Sequence, residues 1–417
     1  MNNDVLVIGA GVAGIEASLL LADAGKKVFL IEKSSLIGGK PVKYEEAFPN
    51  MECSTCMIAP RQQALLQNPN IELITLAQLE SLDGNAGDFT ANIKVKAGYV
   101  SATDCIGCGA CYEPCPISVK NEFEENMSER KAIYVPCPGA LPNVPVVDTN
   151  ACVRFTKKED CNLCVESCPF LAIDFSQEDK IREIKVGAVI VATGFGMFDV
   201  AQIEKLNYGK IGNVFTAMEF ERLFASNGPT SGAVVLRDGS TPKKIAIVHC
   251  IGRGRVGYCS GVCCMYSAKF ARYIHHKISD AEVRLLHRDI CVPGKKYQAF
   301  WDESVKGKVS TEYFSKIESI EKNGNGAIIK YADSNGSESF TADMIILAPA
   351  IVPNDDASEL AKTLGLKIDG FGFIESDENI GVATNCDGVY IAGCVGGPRN
   401  VADTVASAYA AVSKIIS

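Results

Sequence analysis

Nine of the chain's eighteen cysteines lie between positions 105 and 168, and eight of them fall into two spaced groups. Their spacing restricts what this stretch can fold into more than any other feature. Cys105, Cys108, Cys111 and Cys115-Pro116 read C-x2-C-x2-C-x3-C-P. Cys152, Cys161, Cys164 and Cys168-Pro169 repeat the pattern with eight residues in the first interval. Three closely spaced thiolates can hold three corners of a cubane, and in two-cluster ferredoxins the fourth comes from the other motif. The spacing predicts one [4Fe–4S] cluster on Cys105, Cys108, Cys111 and Cys168, and a second on Cys152, Cys161, Cys164 and Cys115. A zinc ribbon or a set of buried thiols would not need the doubled x3-C-P ending.

A chain of 417 residues can bury a large core and should divide into two or three domains. Its net charge of −9 argues against a nucleic-acid partner, which would need a basic face. Cysteines gathered at metal-ligand spacing in an α/β sequence of enzyme length fit a reducing compartment better than a secreted, disulfide-bonded protein. The first strand is expected at 4–8, with no basic and apolar signal core before it. The longest apolar stretches, such as 344–350, fall far below the roughly 18 residues of a membrane span. The expectation is a soluble, cytoplasmic protein with no direct membrane span.

Residues 4–33 read as strand, turn, helix and strand. Val5-Leu6-Val7-Ile8 is a continuous apolar run, as in a parallel strand buried on both faces. Gly9-Ala10-Gly11-Val12-Ala13-Gly14 follows, then an apolar helix to Ala24 and a second strand from Lys27 to Ile31, closed by Glu32 and Lys33. Gly9 would make the tight turn, Gly11 would let the backbone approach a pyrophosphate, and Gly14 would let helix and strand pack closely. The phosphates would meet the positive end of the helix, and Glu32 would accept hydrogen bonds from an adenosine ribose. A lone GxGxxG is weak; strand, helix and distal acid together make it specific.

Other segments favour FAD over NAD. Gly38-Gly39-Lys40 lies where two-dinucleotide-domain flavoproteins carry a glycine pair near the flavin phosphates. Ala188-Val189-Ile190-Val191-Ala192-Thr193-Gly194 resembles the strand by which their chain leaves the flavin domain. Gly388-Val389-Tyr390-Ile391-Ala392-Gly393 resembles their last flavin strand, which normally ends in Gly-Asp; here Cys394 replaces the acid. Pro398, Arg399 and Val401 precede or open a helix from Asn400 to Ile416, whose N-terminus would favour negative charge on a reduced flavin.

Lys244 to Ile251 is a further buried strand, followed by Gly252-Arg253-Gly254-Arg255-Val256-Gly257. Alone, this match to GxGxxG would predict NAD(P)H binding. Cys250, Cys259, Cys263 and Cys264 surround it, and four thiols within fifteen residues predict a third [4Fe–4S] site in place of a nicotinamide dinucleotide. Cys53-Ser54-Thr55-Cys56 leaves three readings open: a redox dithiol, ligands to the third cluster, or structural cysteines. No paired carboxylates or Ser/His constellation stand out for hydrolysis. His275-His276 reads as a solvated pair on a helix.

These residues together resemble the A-subunit of heterodisulfide reductase and its relatives. The resemblance runs along nearly the whole chain, through the N-terminal glycine motif, Cys53-x2-Cys56, the double cysteine insert and Gly397-Pro398-Arg399. Its most specific part is Tyr258-Cys259-Ser260-Gly261-Val262-Cys263-Cys264-Met265-Tyr266, followed by Lys269. It implies a [4Fe–4S] cluster on that cysteine set and Lys269 near the flavin, where its charge would tune the flavin's electronics. The implied fold is an α/β, two-dinucleotide-binding-domain flavoprotein of the thioredoxin-reductase type with an inserted two-cluster ferredoxin domain. On this basis the FAD-binding domain takes 1–97, 179–241 with a linker, and 349–417. The ferredoxin insert takes 98–178, and a second dinucleotide fold with the third cluster takes 242–348.

The resemblance also implies a homodimer that passes electrons between other subunits of a complex. Ferredoxin or a hydrogenase- or quinone-linked module would be the outside partner. In several complexes of the family the flavin divides an electron pair between a low- and a high-potential branch. The extra N-terminal domain and C-terminal ferredoxin domain of the longest members have no counterpart in this sequence. Its length is closer to the flavin subunits of quinone-interacting complexes and of class II benzoyl-CoA reductase complexes. Two other functions compete: a free-standing NAD(P)H-dependent oxidoreductase using 252–257, and a cluster-wired scaffold without flavin turnover.

Overall fold

Short runs of branched apolar residues become the centre of this molecule because helices cover them on both faces. The computed structural model describes residues 2–377 and 381–417. In chain order the elements that matter here are β1 (Val5–Ile8), α1 (Val12–Asp23), β2 (Val28–Ile31), α2 (Ser54–Gln67), β3 (Ile71–Ile74) and β4 (Ala188–Val191). They continue with β5 (Val214–Thr216), α3 (Ala217–Phe224), β6 (Lys244–Ile251), α4 (Cys263–Lys277) and β7 (Glu282–His287). The last are β8 (Ser310–Tyr313), β9 (Met344–Pro349), β10 (Val389–Ile391) and α5 (Val401–Ile416).

The first sheet has the order β10-β4-β1-β2-β3, all parallel. Every residue of β1, β2 and β4 is buried. Val5 faces Val28 on one side and Ala188 on the other, so three distant segments meet in one register. Small residues let α1 and α5 approach over this sheet: Ala13, Ala17, Ala408 and Ala411 share one core.

The second sheet has the order β5-β9-β6-β7-β8, again parallel. Its edge strand β5 falls in the 179–241 stretch, so part of that stretch belongs to the second sheet. A pair of crossing strands joins the two units: Gly196–Met197 runs antiparallel to Ile351–Val352.

The cysteine-rich segment is a closed excursion from the first unit. Strands Asp88–Val95 and Lys180–Val186 are antiparallel neighbours with Val95 opposite Lys180, and Val100 bridges Ile173 just beyond. Its buried core is small: Cys111, Ile133, Val147 and Ile173, with further cysteines and the rings of Tyr99, Phe155 and Phe175 against them. A buried ion pair latches it to the second unit. Arg222 and Glu124, with side chains 1% and 7% exposed, meet at 2.9 Å, and Arg222 also donates to the Lys43 carbonyl at 2.7 Å.

Candidate functional site

A cavity of about 500 Å³ lies between the first sheet's glycine loops and helix α4 of the second unit. Glycine makes its floor. A Cβ on Gly9, whose φ is +101°, would stand 2.6 Å from the Ala192 carbonyl oxygen. Gly39, at φ +65°, would put a Cβ 3.0 Å from the Gly11 Cα. The backbone can meet a ligand closely only because these side chains are missing.

Glu32 is held by the same loop: its Oε2 accepts from the Ala10 N–H at 2.8 Å and its Oε1 from the Ser34 N–H at 2.9 Å. Gly9, Gly11, Ala13, Glu32, Gly39, Lys40, Thr193, Gly194, Gly393, Cys394, Arg399, Val401 and Lys269 all line the cavity. Gly14, Lys33 and Pro398 do not. Gly14 packs helix on strand, where a Cβ would fall 1.8 Å from the Gly9 carbonyl oxygen. Lys33 points away, 63% exposed and paired with Asp356 at 2.6 Å.

The chemistry of the cavity wall fits a dinucleotide. The Thr193 hydroxyl is buried without a hydrogen-bond partner among the described residues, as is the Tyr266 hydroxyl. Buried hydroxyls are costly unless something completes them. Burial pushes the Lys40 ammonium below its ordinary value, and its Nζ lies 4.8 Å over the Phe195 ring. Cys394 is buried, with its thiol toward the Arg399 carbonyl at 3.4 Å. Burial raises that thiol, so no carboxylate-like charge stands where related flavoproteins place an acid.

Lys269 reaches the cavity wall, and its charge there is partnered. Its Nζ donates to both oxygens of Glu221, at 2.8 and 2.6 Å, and to the Glu46 carbonyl at 2.9 Å. Both side chains are almost fully buried, 3% and 4% exposed. Burial pushes the Glu221 carboxyl up and the Lys269 ammonium pulls it down. The cavity therefore meets an ion pair in place of an isolated cation. Glu221 carried no signal in the sequence: it is one of two acids on a helix begun by the Thr216–Glu219 capping box.

The fold gathers two further families of thiols. In the insert, the thiol neighbours of Cys111 are Cys105, Cys164 and Cys168, and burial lifts Cys111 to about 12. Cys164, pushed up to about 11, faces Cys152 and Cys115. A small cavity is lined by Cys115, Cys152, Cys161 and Cys164 together. The second thiol family sits where β6 ends and α4 begins. Cys263 faces Cys264, Cys259 and Cys250; Cys250 takes the left-handed backbone, φ +60°, that aims it inward.

Cys291, singled out by nothing local, joins this cage: its N–H donates to the Cys264 Sγ at 3.3 Å. Among the described residues no three His, Cys, Asp or Glu side chains converge tightly enough for a single metal ion. A cubane distributes its thiolates over four iron corners, so it requires a wider cage.

The pair Cys53 and Cys56 stands at the start of α2. Cys53 caps the helix and accepts from the Cys56 N–H at 3.3 Å. Burial pushes the Cys53 thiol up, but hydrogen bonds from Cys56 and Thr55 outweigh it and leave the thiol below its ordinary value. His275 is also unlike its expected solvated place, since its Nε2 is buried without a partner among the described residues. The helix turns that edge of the ring toward its packed face, and only His276 is exposed.

Known proteins share this arrangement. Residues 137–414 match the family model of pyridine nucleotide-disulphide oxidoreductases, and residues 4–44 that of FAD dependent oxidoreductases. The A-subunit of the H(2):CoB-CoM heterodisulfide,ferredoxin reductase of Methanothermobacter marburgensis is 37% identical, over 99% of this chain and 63% of the relative. The first iron-sulfur A-subunit of the CoB--CoM heterodisulfide reductase of Methanopyrus kandleri is 38% identical, over 99% and 64%. The chain belongs to the heterodisulfide reductase A-subunit family.

This member spans about 63% of the length of those relatives. Among solved structures, the T. acidophilum thioredoxin reductase superposes with a TM-score of 0.55 at 13% identity, over 99% of this chain and 97% of that one. The likeness is one of fold: two dinucleotide-type units joined by paired strands. The match to the pyridine nucleotide-disulphide oxidoreductase model over residues 137–414 makes the chain an oxidoreductase, and the two family models support FAD as its cofactor.

Proposed function

We propose that this chain is the FAD- and iron–sulfur-containing electron-transfer subunit of a multi-subunit, heterodisulfide-reductase-like complex. One observation carries the reading: a single helix serves both sites. Tyr266 and Lys269 of α4 line the flavin cavity, while Cys263 and Cys264 in its first turn belong to the thiol cage. When bound, FAD supplies a two-electron couple and the cubanes supply one-electron couples.

The chain's own residues do the rest. Gly9, Gly11 and Gly39 open the backbone to phosphates, and Glu32 holds the ribose end. The N-terminus of α5, capped by Asn400 through the Asp403 N–H at 2.9 Å, faces the cavity and favours negative charge there. Glu221 and Lys269 hold a buried ion pair beside the cavity. The insert's ligand sets are Cys105, Cys108, Cys111 and Cys168, and Cys152, Cys161, Cys164 and Cys115. Its core is too small to order the segment alone, and bound metal would contribute folding free energy.

Ile106, Leu163, Phe170 and Leu171 are exposed beside those cysteines, which supports an exit toward partner subunits. The proposal includes the division into FAD-binding parts, ferredoxin insert and second dinucleotide fold, with boundaries at 98, 179 and 349 and with β5 and α3 counted to the second fold. It also includes a homodimer, with ferredoxin or a hydrogenase- or quinone-linked module as the outside partner. A reducing, cytoplasmic setting and the family's division of an electron pair between two branches complete it. Among the described residues no helix is long and apolar enough to cross a membrane. Protein purified under strict anaerobiosis should carry one FAD and about twelve irons, four per cubane. About eight irons would remove the third cluster, and a chain lacking iron and flavin would end the proposal.

A further inference from the structure

The thiol cage at the start of α4 holds one more cysteine than a cubane needs. Cys263 and Cys264 are fixed by the first turn of α4, and the Cys264 side chain is buried. Cys250 is fixed at the end of β6. Cys259 is the loosest corner: it is exposed and lies between Gly257 and Gly261, both at positive φ.

Cys291 arrives from the loop after β7 on that same side. Its N–H binds the Cys264 Sγ at 3.3 Å, and the Cys259 thiol is among its electrostatic neighbours. The thiol neighbours of Cys264 are Cys250, Cys259 and Cys291. The fifth thiol therefore lies beside Cys259 and Cys264. Arg253, which pairs with Asp289, lies beside Cys259 and Cys291 alike.

We propose that Cys291 is part of the third cluster's cage and takes the fourth corner whenever Cys259 does not. This rests on the reading of the cage as a [4Fe–4S] site. The exchange replaces one sulfur–iron bond by another, and the proton that Cys291 gives up is taken by the released Cys259 sulfur. No oxidation state changes. The surroundings of Cys259 suit such an exchange, because its glycine-flanked loop can withdraw without disturbing α4 or β6.

The full chain, purified anaerobically, is compared with Cys250→Ala, Cys259→Ala, Cys291→Ala and the double variant Cys259→Ala/Cys291→Ala. Iron per chain, FAD per chain and electron paramagnetic resonance are read on each. Cys259→Ala and Cys291→Ala should each keep about twelve irons, and the double variant should fall to about eight or show a three-iron cluster. If Cys259→Ala alone reaches the iron content of the double variant, or shows the three-iron signal, the proposal is overturned. If Cys250→Ala keeps about twelve irons, the third cluster itself is wrong, which is a separate failure. Where an alanine variant loses its FAD, the corresponding serine variants, which keep the side-chain volume, give the same comparison in folded protein.

Discussion

Residues 9–14 and 252–257 follow buried parallel strands and share the pattern GxGxxG, yet the chain does different things after each. The first runs directly into a twelve-residue helix, and its glycines open onto the large cavity. The second runs into four residues of helix, Arg253–Val256, that stop at Gly257. The long helix α4 begins only at Cys263, after a loop that delivers thiols. Gly252 does not open a ligand bed either: a Cβ there would strike the Phe198 ring at 2.6 Å. The element after the glycines decides their use, because a dinucleotide needs both the open backbone and the adjacent helix terminus.

The contrast is broken most directly by adding one methyl group to each motif. Gly14→Ala puts a Cβ against backbone, and should cost about 5 kcal/mol or prevent folding, with loss of bound FAD. Gly254→Ala meets only the end of Arg288, at 3.6 Å, and should stay within about 0.5 kcal/mol of the parent. Thermal melts with flavin content measure both; equal damage would mean that the second motif also packs a nucleotide fold tightly.

Next in size is the ion pair on the wall between the two units. Lys269→Ala strands Glu221 in the interior and should cost roughly 3–5 kcal/mol, whereas Lys269→Met with Glu221→Gln should cost far less. Denaturant unfolding of the parent, both single variants and the double variant separates these. A mild Lys269→Ala would show that water reaches Glu221 and that the pair is not closed.

The smallest expected response is that of the second motif to its nominal ligand. NADH or NADPH, mixed with partner-free protein, should leave the flavin absorbance unchanged on the time scale of turnover. Rapid bleaching would restore 252–257 as a dinucleotide site.

The parts of this molecule legible in the sequence are those encoded by neighbours. Continuous apolar runs announced β1, β4, β6 and β10 because a strand buried on both faces has no polar alternation to hide. Glycine spacing pointed to the loop that floors the cavity, since a positive φ or a close approach leaves few other residues possible. Cysteine spacing proposed crossed ligand sets, and the fold gathers Cys105, Cys164 and Cys168 around Cys111. Strand β5 was not legible: three residues of Val-Phe-Thr do not say which sheet will take them.

By itself the sequence determined where the backbone turns, which strands are central and which thiols are close along the chain. Those properties depend on residues within a few positions of one another. Tertiary structure alone decided that Lys269 is neutralised by Glu221, 48 residues away, and that Arg222 meets Glu124 across 98 residues. It likewise brought Cys291 to Cys264 across 27 residues. Such pairs have no period and no spacing. They exist because folding removes the groups from water, and a buried charge or polar group must then find whatever partner the crossing chain supplies.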